Sequence, residues 1–72
     1  MNGGAAQVRK RSVTLRGHAT SVSLEGAFWG GLKRIADSRG LSVAALIAEI
    51  DGRRAGNLSS AIRVFVLETL TG

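Results

Sequence analysis

The sequence contains no cysteine and a single histidine, His18. Disulfides and thiolate ligands are therefore excluded, and one imidazole cannot build a nitrogen-based structural metal site. No apolar run approaches the ~20 residues of a membrane span. The N-terminus lacks the apolar stretch of a signal peptide. One histidine and five scattered carboxylates offer no nucleophile–base pair at a recognisable spacing. Gly26, Gly30 and Gly31 do not follow a phosphate-loop pattern, and no Gly-Lys-Ser/Thr occurs. No enzyme, no cofactor, no metal and no membrane partner are expected, and the expected setting is cytoplasmic.

What the chain has in quantity is apolar residues and positive charge. It holds 72 residues, 44% of them hydrophobic and 21% charged. One domain of this size buries only roughly 60–65% of its unfolded surface. Without disulfide or metal, oligomerisation is the remaining way to stabilise it. Ten Lys/Arg against five Asp/Glu give a net charge of +5. That balance favours polyanions, nucleic acid ahead of an anionic membrane surface.

Residues 1–10 read as a disordered basic arm: Gly/Ala-rich at first, then reaching the run Arg9, Lys10, Arg11. The domain proper is expected over 11–72. Residues 12–24 form a strand region, with Val13 and Leu15 alternating against polar neighbours, then Val22 and Leu24 doing the same. The first apolar pair is odd-numbered and the second even-numbered. One continuous strand would put them on opposite faces, so either a bulge or turn at Gly17 resets the phase, or two separate strands exist.

From residue 26 the period becomes helical. Helix A is expected over 26–38, with Phe28, Leu32, Ile35 and Ala36 as its stripe and Trp29 beside it. Arg39-Gly40 supplies the stop signal. Helix B is expected over 42–51, capped by Ser42, with Val43, Leu46, Ile47 and Ile50 inward. Helix C is expected over 58–70, capped by Asn57. Its Leu58, Ile62, Phe65, Val66, Leu67 and Leu70 leave little polar face. A helix apolar nearly all round needs burial on several sides, which again suggests a dimer. The expected core and dimer-interface residues are Val22, Leu24, Phe28, Leu32, Ile35, Leu46, Ile47, Ile50, Ile62, Phe65 and Val66.

The segment SVSLEGAFWGGLKRIADSRGLSVAALIAEI resembles the ribbon-helix-helix superfamily. A short alternating strand, a break, an amphipathic helix ending in Arg-Gly and a serine-capped second helix carry the likeness over about residues 19–51. RSVTLRGH and NLSSAIRVFVLE extend it, over 11–70, towards a small bacterial branch of ribbon-helix-helix domain proteins. The resemblance implies a mainly α fold with a short β-strand, an intertwined homodimer, and here an additional C-terminal helix. One strand per subunit would pair with its two-fold mate. The antiparallel ribbon would enter the major groove of double-stranded DNA, with scope for higher assembly on DNA. The outward residues would be Ala19, Ser21 and Ser23, and the start of helix B at Ser42 and Val43 would meet a phosphate.

Better-known relatives carry Arg, Lys, Gln or Asn at the outward positions, where this chain has alanine and serine. If Val13 and Leu15 face inward, Ser12, Thr14 and Arg16 face outward, and the upstream strand can share or take over the reading surface. Both assignments stand at this point. Arg9, Lys10 and Arg11 are expected phosphate contacts. His18 is a phosphate contact or a structural hydrogen bond at the turn. Glu25 should favour the start of helix A electrostatically. Lys33 and Arg34 read as a solvated face. Arg53 and Arg54 read as phosphate grips, a partner contact or a solvated loop. The leading function is a sequence-specific transcriptional regulator, a repressor or autoregulator reading an inverted repeat. The alternatives are an antitoxin component, against which the end at Gly72 just after helix C weighs, and a protein–protein adaptor retaining the fold.

Overall fold

The computed structural model describes residues 6–53 and 56–72. Two strands, β1 (Val8–Leu15) and β2 (His18–Glu25), are followed by three helices: α1 (Gly26–Arg39), α2 (Val43–Arg53) and α3 (Leu58–Thr71).

The phase shift between the two apolar pairs is resolved by a hairpin. β1 and β2 pair antiparallel, from Val8 opposite Glu25 to Leu15 opposite His18. Only Arg16 and Gly17 lie between them, both with positive φ, 53° and 83°. That is the signature of a type I′ turn, whose twist suits a two-residue hairpin. The register places odd residues of β1 opposite even residues of β2. Partners across a ladder share a face, so Val13, Leu15, Val22 and Leu24 all point to the helices. The hairpin pairs two strands of one chain, and among the described residues no third strand pairs with either. One expectation changes here: the strand begins at Val8, so Arg9 and Lys10 belong to the sheet instead of a disordered arm; residues 1–5 lie outside the described residues.

Behind the ribbon the three helices close one core. Leu24, Leu32, Leu46, Ile47 and Ile62 are its largest fully buried side chains, with Leu15, Val22, Ile35, Ala36, Ile50 and Val66 around them. Burying a side chain of this size contributes about 1.5–3 kcal/mol. Phe28, Trp29 and Phe65 pack against the cluster while half-buried. Among the described residues no polar or charged side chain is buried.

Local sequence sets the helix ends. Gly40 takes the left-handed conformation at φ 68°. Its N–H donates to the Asp37 carbonyl, and the Leu41 N–H to that of Ala36 at 2.9 Å, a Schellman closure. The hydroxyl of Ser42 accepts from the Ala45 N–H at 3.0 Å, and Asn57 Oδ1 accepts from the Ser60 N–H at 3.0 Å. Glu25 precedes α1 in extended conformation without a side-chain capping bond.

Gly31 is buried where α1 meets α3. A Cβ there would stand 2.8 Å from Val66 Cγ1 and 3.3 Å from Leu70 Cδ1, whereas a Cβ at Gly30 meets nothing within 4 Å. Removing a helical glycine gains up to about 1 kcal/mol, and overpacking costs about 1–3 kcal/mol. Gly30→Ala should therefore raise stability in urea denaturation, and Gly31→Ala should lower it. Equal stabilisation by both would show that α1 and α3 do not approach this closely.

Candidate nucleic-acid interface

The face of the ribbon turned away from the helices carries Lys10, Ser12 and Thr14 on β1, paired with Ser23, Ser21 and Ala19 on β2. All six are exposed. Both strands thus contribute to one surface, and the two assignments left open by the sequence merge into a single face. Its chemistry is uniform. Four hydroxyls can each donate and accept hydrogen bonds, alanine adds a methyl, and Lys10 brings positive charge. Apart from Lys10 at its end every side chain of the face is short, so a ligand can come close to the backbone.

The other cations of the hairpin lie elsewhere. Arg9 and Arg11 follow the odd-numbered, helix-facing side of β1. Arg9 is exposed near the open end of the ladder. Arg11 is half-buried, its guanidinium carbon 4.8 Å from the Trp29 ring centroid, a cation–π distance. Its buried Nε has no hydrogen-bond partner. Arg11 is therefore a packing residue as much as a cation, and Trp29 is committed to it.

Arg16 departs from the outward strand position expected for it. It occupies the first position of the turn, with left-handed φ. That conformation costs a non-glycine residue roughly 1–2 kcal/mol. Its Nη2 comes within 3.2 Å of a Cβ position on Gly52, in the last turn of α2, where the negative helix end favours a cation. His18 is exposed beside it, opening β2 opposite Leu15. Together with Thr20, Ser21, Asp51 and Leu58 these residues line a shallow cleft at the hairpin tip.

Ser42 is exposed and Val43 half-buried at the start of α2. The Ser42 carbonyl accepts from Leu46 and its hydroxyl from Ala45. The amides of Val43 and Ala44 belong to the helix's unsatisfied first turn. Lys33 and Arg34 are exposed on α1. Arg54 lies outside the described residues.

Two ion pairs were not legible in the sequence. Arg63 Nε donates to Glu25 Oε1 at 2.8 Å, tying the end of the ribbon to α3. Alongside it the Ser23 N–H donates to Ser59 Oγ at 3.3 Å. Glu25 thus directs its carboxylate to Arg63 and makes no capping hydrogen bond to α1. Arg39 lies 3.9 Å from Glu49 and 5.4 Å from the Phe65 ring centroid. Both pairs join residues far apart in sequence, with no spacing to betray them. They also pair two of the cations; of the rest among the described residues, Arg9, Lys10, Arg11 and Arg16 lie on the hairpin, Lys33 and Arg34 on α1 and Arg53 at the end of α2.

The hydrogen bond from Arg63, helped by a backbone bond and the charge of Arg63, holds the Glu25 carboxyl below its usual range against a small opposing effect of desolvation. A carboxyl depressed in the folded state stabilises the fold above the usual carboxylate range. That contribution fades as pH falls through the depressed value. The stability gap between the native chain and Glu25→Gln should therefore be present at pH 7 and shrink under strong acid, as read by urea denaturation at each pH. A gap independent of pH would show that the pair is not ionic.

Comparison with known proteins agrees with the architecture. The ribbon-helix-helix domain family matches residues 8–70. A solved structure of an uncharacterized protein from Bordetella pertussis Tohama I superposes with a TM-score of 0.81 at 35% sequence identity. The match covers 99% of this chain and 62% of that one, so the chain spans less than two thirds of the relative's length. No curated protein matches.

Proposed function

The chain belongs to the ribbon-helix-helix domain family, a fold of DNA-binding, regulatory type, and from that premise we propose that it is a sequence-specific transcriptional regulator, a repressor or autoregulator that inserts its own β-hairpin into the major groove of double-stranded DNA and acts as a homodimer. The observation that carries the reading is the exposed outer face of the hairpin, polar, short-chained except for Lys10, and free of any role in the core. Paired strands lie about 4.8 Å apart, so the ribbon fits the ~12 Å major groove with side chains attached. Short hydroxyl side chains let it sit deep, where serine and threonine meet base edges directly or through water.

Charge supports the same placement. Eight-residue strands span about 26 Å, more than the groove is wide. The ends of the hairpin therefore lie over the flanking backbones. Arg9 and Lys10 stand at the open end and Arg16 at the tip, in reach of phosphates. Such contacts position the ribbon and the hydroxyl face specifies the site. Because each chain makes a whole ribbon, a dimer offers one ribbon per half-site of an inverted repeat.

A second reading has one observation in its favour. The outer face holds a single cation and no long amide or guanidinium side chain, which also suits a protein–protein adaptor. Salt separates the two. A DNA-binding chain loses affinity for duplex DNA with a slope of about −0.9 per phosphate neutralised in a plot of log K against log salt. Fluorescence anisotropy with a randomised duplex pool and then selected sites should show that slope. Lys10→Ala should flatten it by about one phosphate. Ser21→Glu, which puts a carboxylate on the face without touching the core, should abolish binding while leaving the circular dichroism unchanged. Absence of DNA affinity at low salt would sink the proposal and favour the adaptor.

A further inference from the structure

The turn that sets the register also decides which backbone groups the ribbon uses. In a two-residue hairpin the residues flanking the turn exchange both of their N–H···O bonds, and bonded and unbonded pairs alternate from there. Leu15–His18, Val13–Thr20, Arg11–Val22 and Arg9–Leu24 are thus the bonded pairs of the register. Gly26 continues the series, its N–H donating to the Gln7 carbonyl at 3.2 Å. The N–H and C=O groups of Lys10, Ser12 and Thr14 therefore point away from β2. On β2 the Ser23 N–H belongs to the same outward set, and it donates to Ser59 Oγ.

The two outer edges differ. α3 closes the end of β2 through that bond and through Arg63 on Glu25. No hydrogen bond among the described residues reaches the outward backbone of Lys10, Ser12 or Thr14. All three residues are exposed. The register of β1 runs through its eight residues without a bulge, and the chain has no proline. Of the devices that blunt a strand edge, charge is the one present, at Arg9, Lys10 and Arg11.

That charge is of one sign and uncompensated. None of the three cations has a carboxylate partner among the described residues. Arg11 is half-buried, and its Nε has no hydrogen-bond partner. A basic edge repels a second β1, which carries no carboxylate of its own, and attracts an acidic strand. The rest of β1 narrows the fit. Val13 turns to the helices, while Ser12 and Thr14 lie on the free face. An antiparallel strand laid on β1 would set an apolar residue opposite Val13, with short polar residues on either side of it. Three acidic residues would follow, opposite Arg11, Lys10 and Arg9.

We infer that the outer edge of β1 is a docking site for an extended acidic segment of a partner protein. The segment adds as a third, antiparallel strand. Its backbone bonds to Lys10, Ser12 and Thr14, and its carboxylates face Arg9, Lys10 and Arg11. In this mode main-chain bonds supply affinity and the side-chain pattern selects the partner. The inference goes beyond the proposed regulator and does not rest on it, because the edge looks sideways from the face offered to DNA.

The test is amide hydrogen exchange of the full chain, read by NMR, with a synthetic peptide and without DNA. The peptide is Ser-Val-Thr-Glu-Asp-Glu, blocked at both ends. It should bind with a dissociation constant below about 1 mM. At saturation it should slow exchange of the Lys10, Ser12 and Thr14 amides at least about tenfold. Those of Arg9, Arg11 and Val13, already bonded to β2, should change less. Methylating the peptide nitrogens opposite Ser12 and Lys10 keeps every charge and removes two donors, and should weaken binding at least about tenfold. Ser12→Pro removes an outward N–H without touching the β1–β2 ladder; it should abolish binding with the circular dichroism unchanged. If that variant fails to fold, the methylated peptide still separates strand addition from charge attraction. No binding at about 1 mM peptide, equal binding of the methylated peptide, or protection confined to residues outside β1 would each overturn the inference. So would protection of the same amides in the free protein that rises with its own concentration, which would give the edge to a second copy. The DNA-binding proposal survives every one of these results.

Discussion

A two-residue turn leaves a hairpin almost no choice of register. Once Arg16 and Gly17 adopt positive φ, Leu15 must face His18, and every cross-strand pair down to Val8 and Glu25 is fixed. With a side-chain period of two, a slip of one residue would turn Val22 and Leu24 out to solvent. The turn thus decides which face of the ribbon is oily and which is free. The free face is the candidate reading surface. It exists because the odd positions of β1 and the even positions of β2 are both needed by the core.

The same turn determines how much of the molecule one chain can complete. Since β1 supplies the second strand, the ribbon needs no mate to shield its inner face, and α3 reaches back to seal its end. Arg63 bonds Glu25 there, and Ser59 receives the Ser23 amide. The core then closes around Leu24, Leu32, Leu46, Ile47 and Ile62. The apolar surplus appears mostly on α3, at Val64, Leu67 and Leu70, with Val8 of β1 exposed as well.

Much of this was legible in the residues. The change of period from two to 3.6 near residue 25, the Arg39-Gly40 stop and the serine and asparagine starts all have local physical causes. The odd-to-even shift between Val13/Leu15 and Val22/Leu24 already contained the hairpin. It could not be decided alone, since a bulge changes phase as well as a turn does. The likeness to relatives implies a strand shared between subunits; the turn adds a second strand from the same chain and leaves an outer edge on each. The site was less legible. Arg9, Lys10 and Arg11 read as a single basic run, yet alternation sends only Lys10 to the free face. Arg16 could not be placed without knowing its left-handed backbone. The Arg11–Trp29 stack and the Glu25–Arg63 pair depend on tertiary closeness that no sequence interval encodes.

The central claim is that the ribbon is made by one chain. Isotope-filtered NMR on a sample mixed from labelled and unlabelled protein tests it most directly, through the cross-strand contacts of Thr14 with Ala19 and Val13 with Thr20. Those contacts should arise wholly within labelled chains, with no signal between labelled and unlabelled partners. Contacts found only between chains would mean that the ribbon is shared by two subunits and that the hairpin account is wrong.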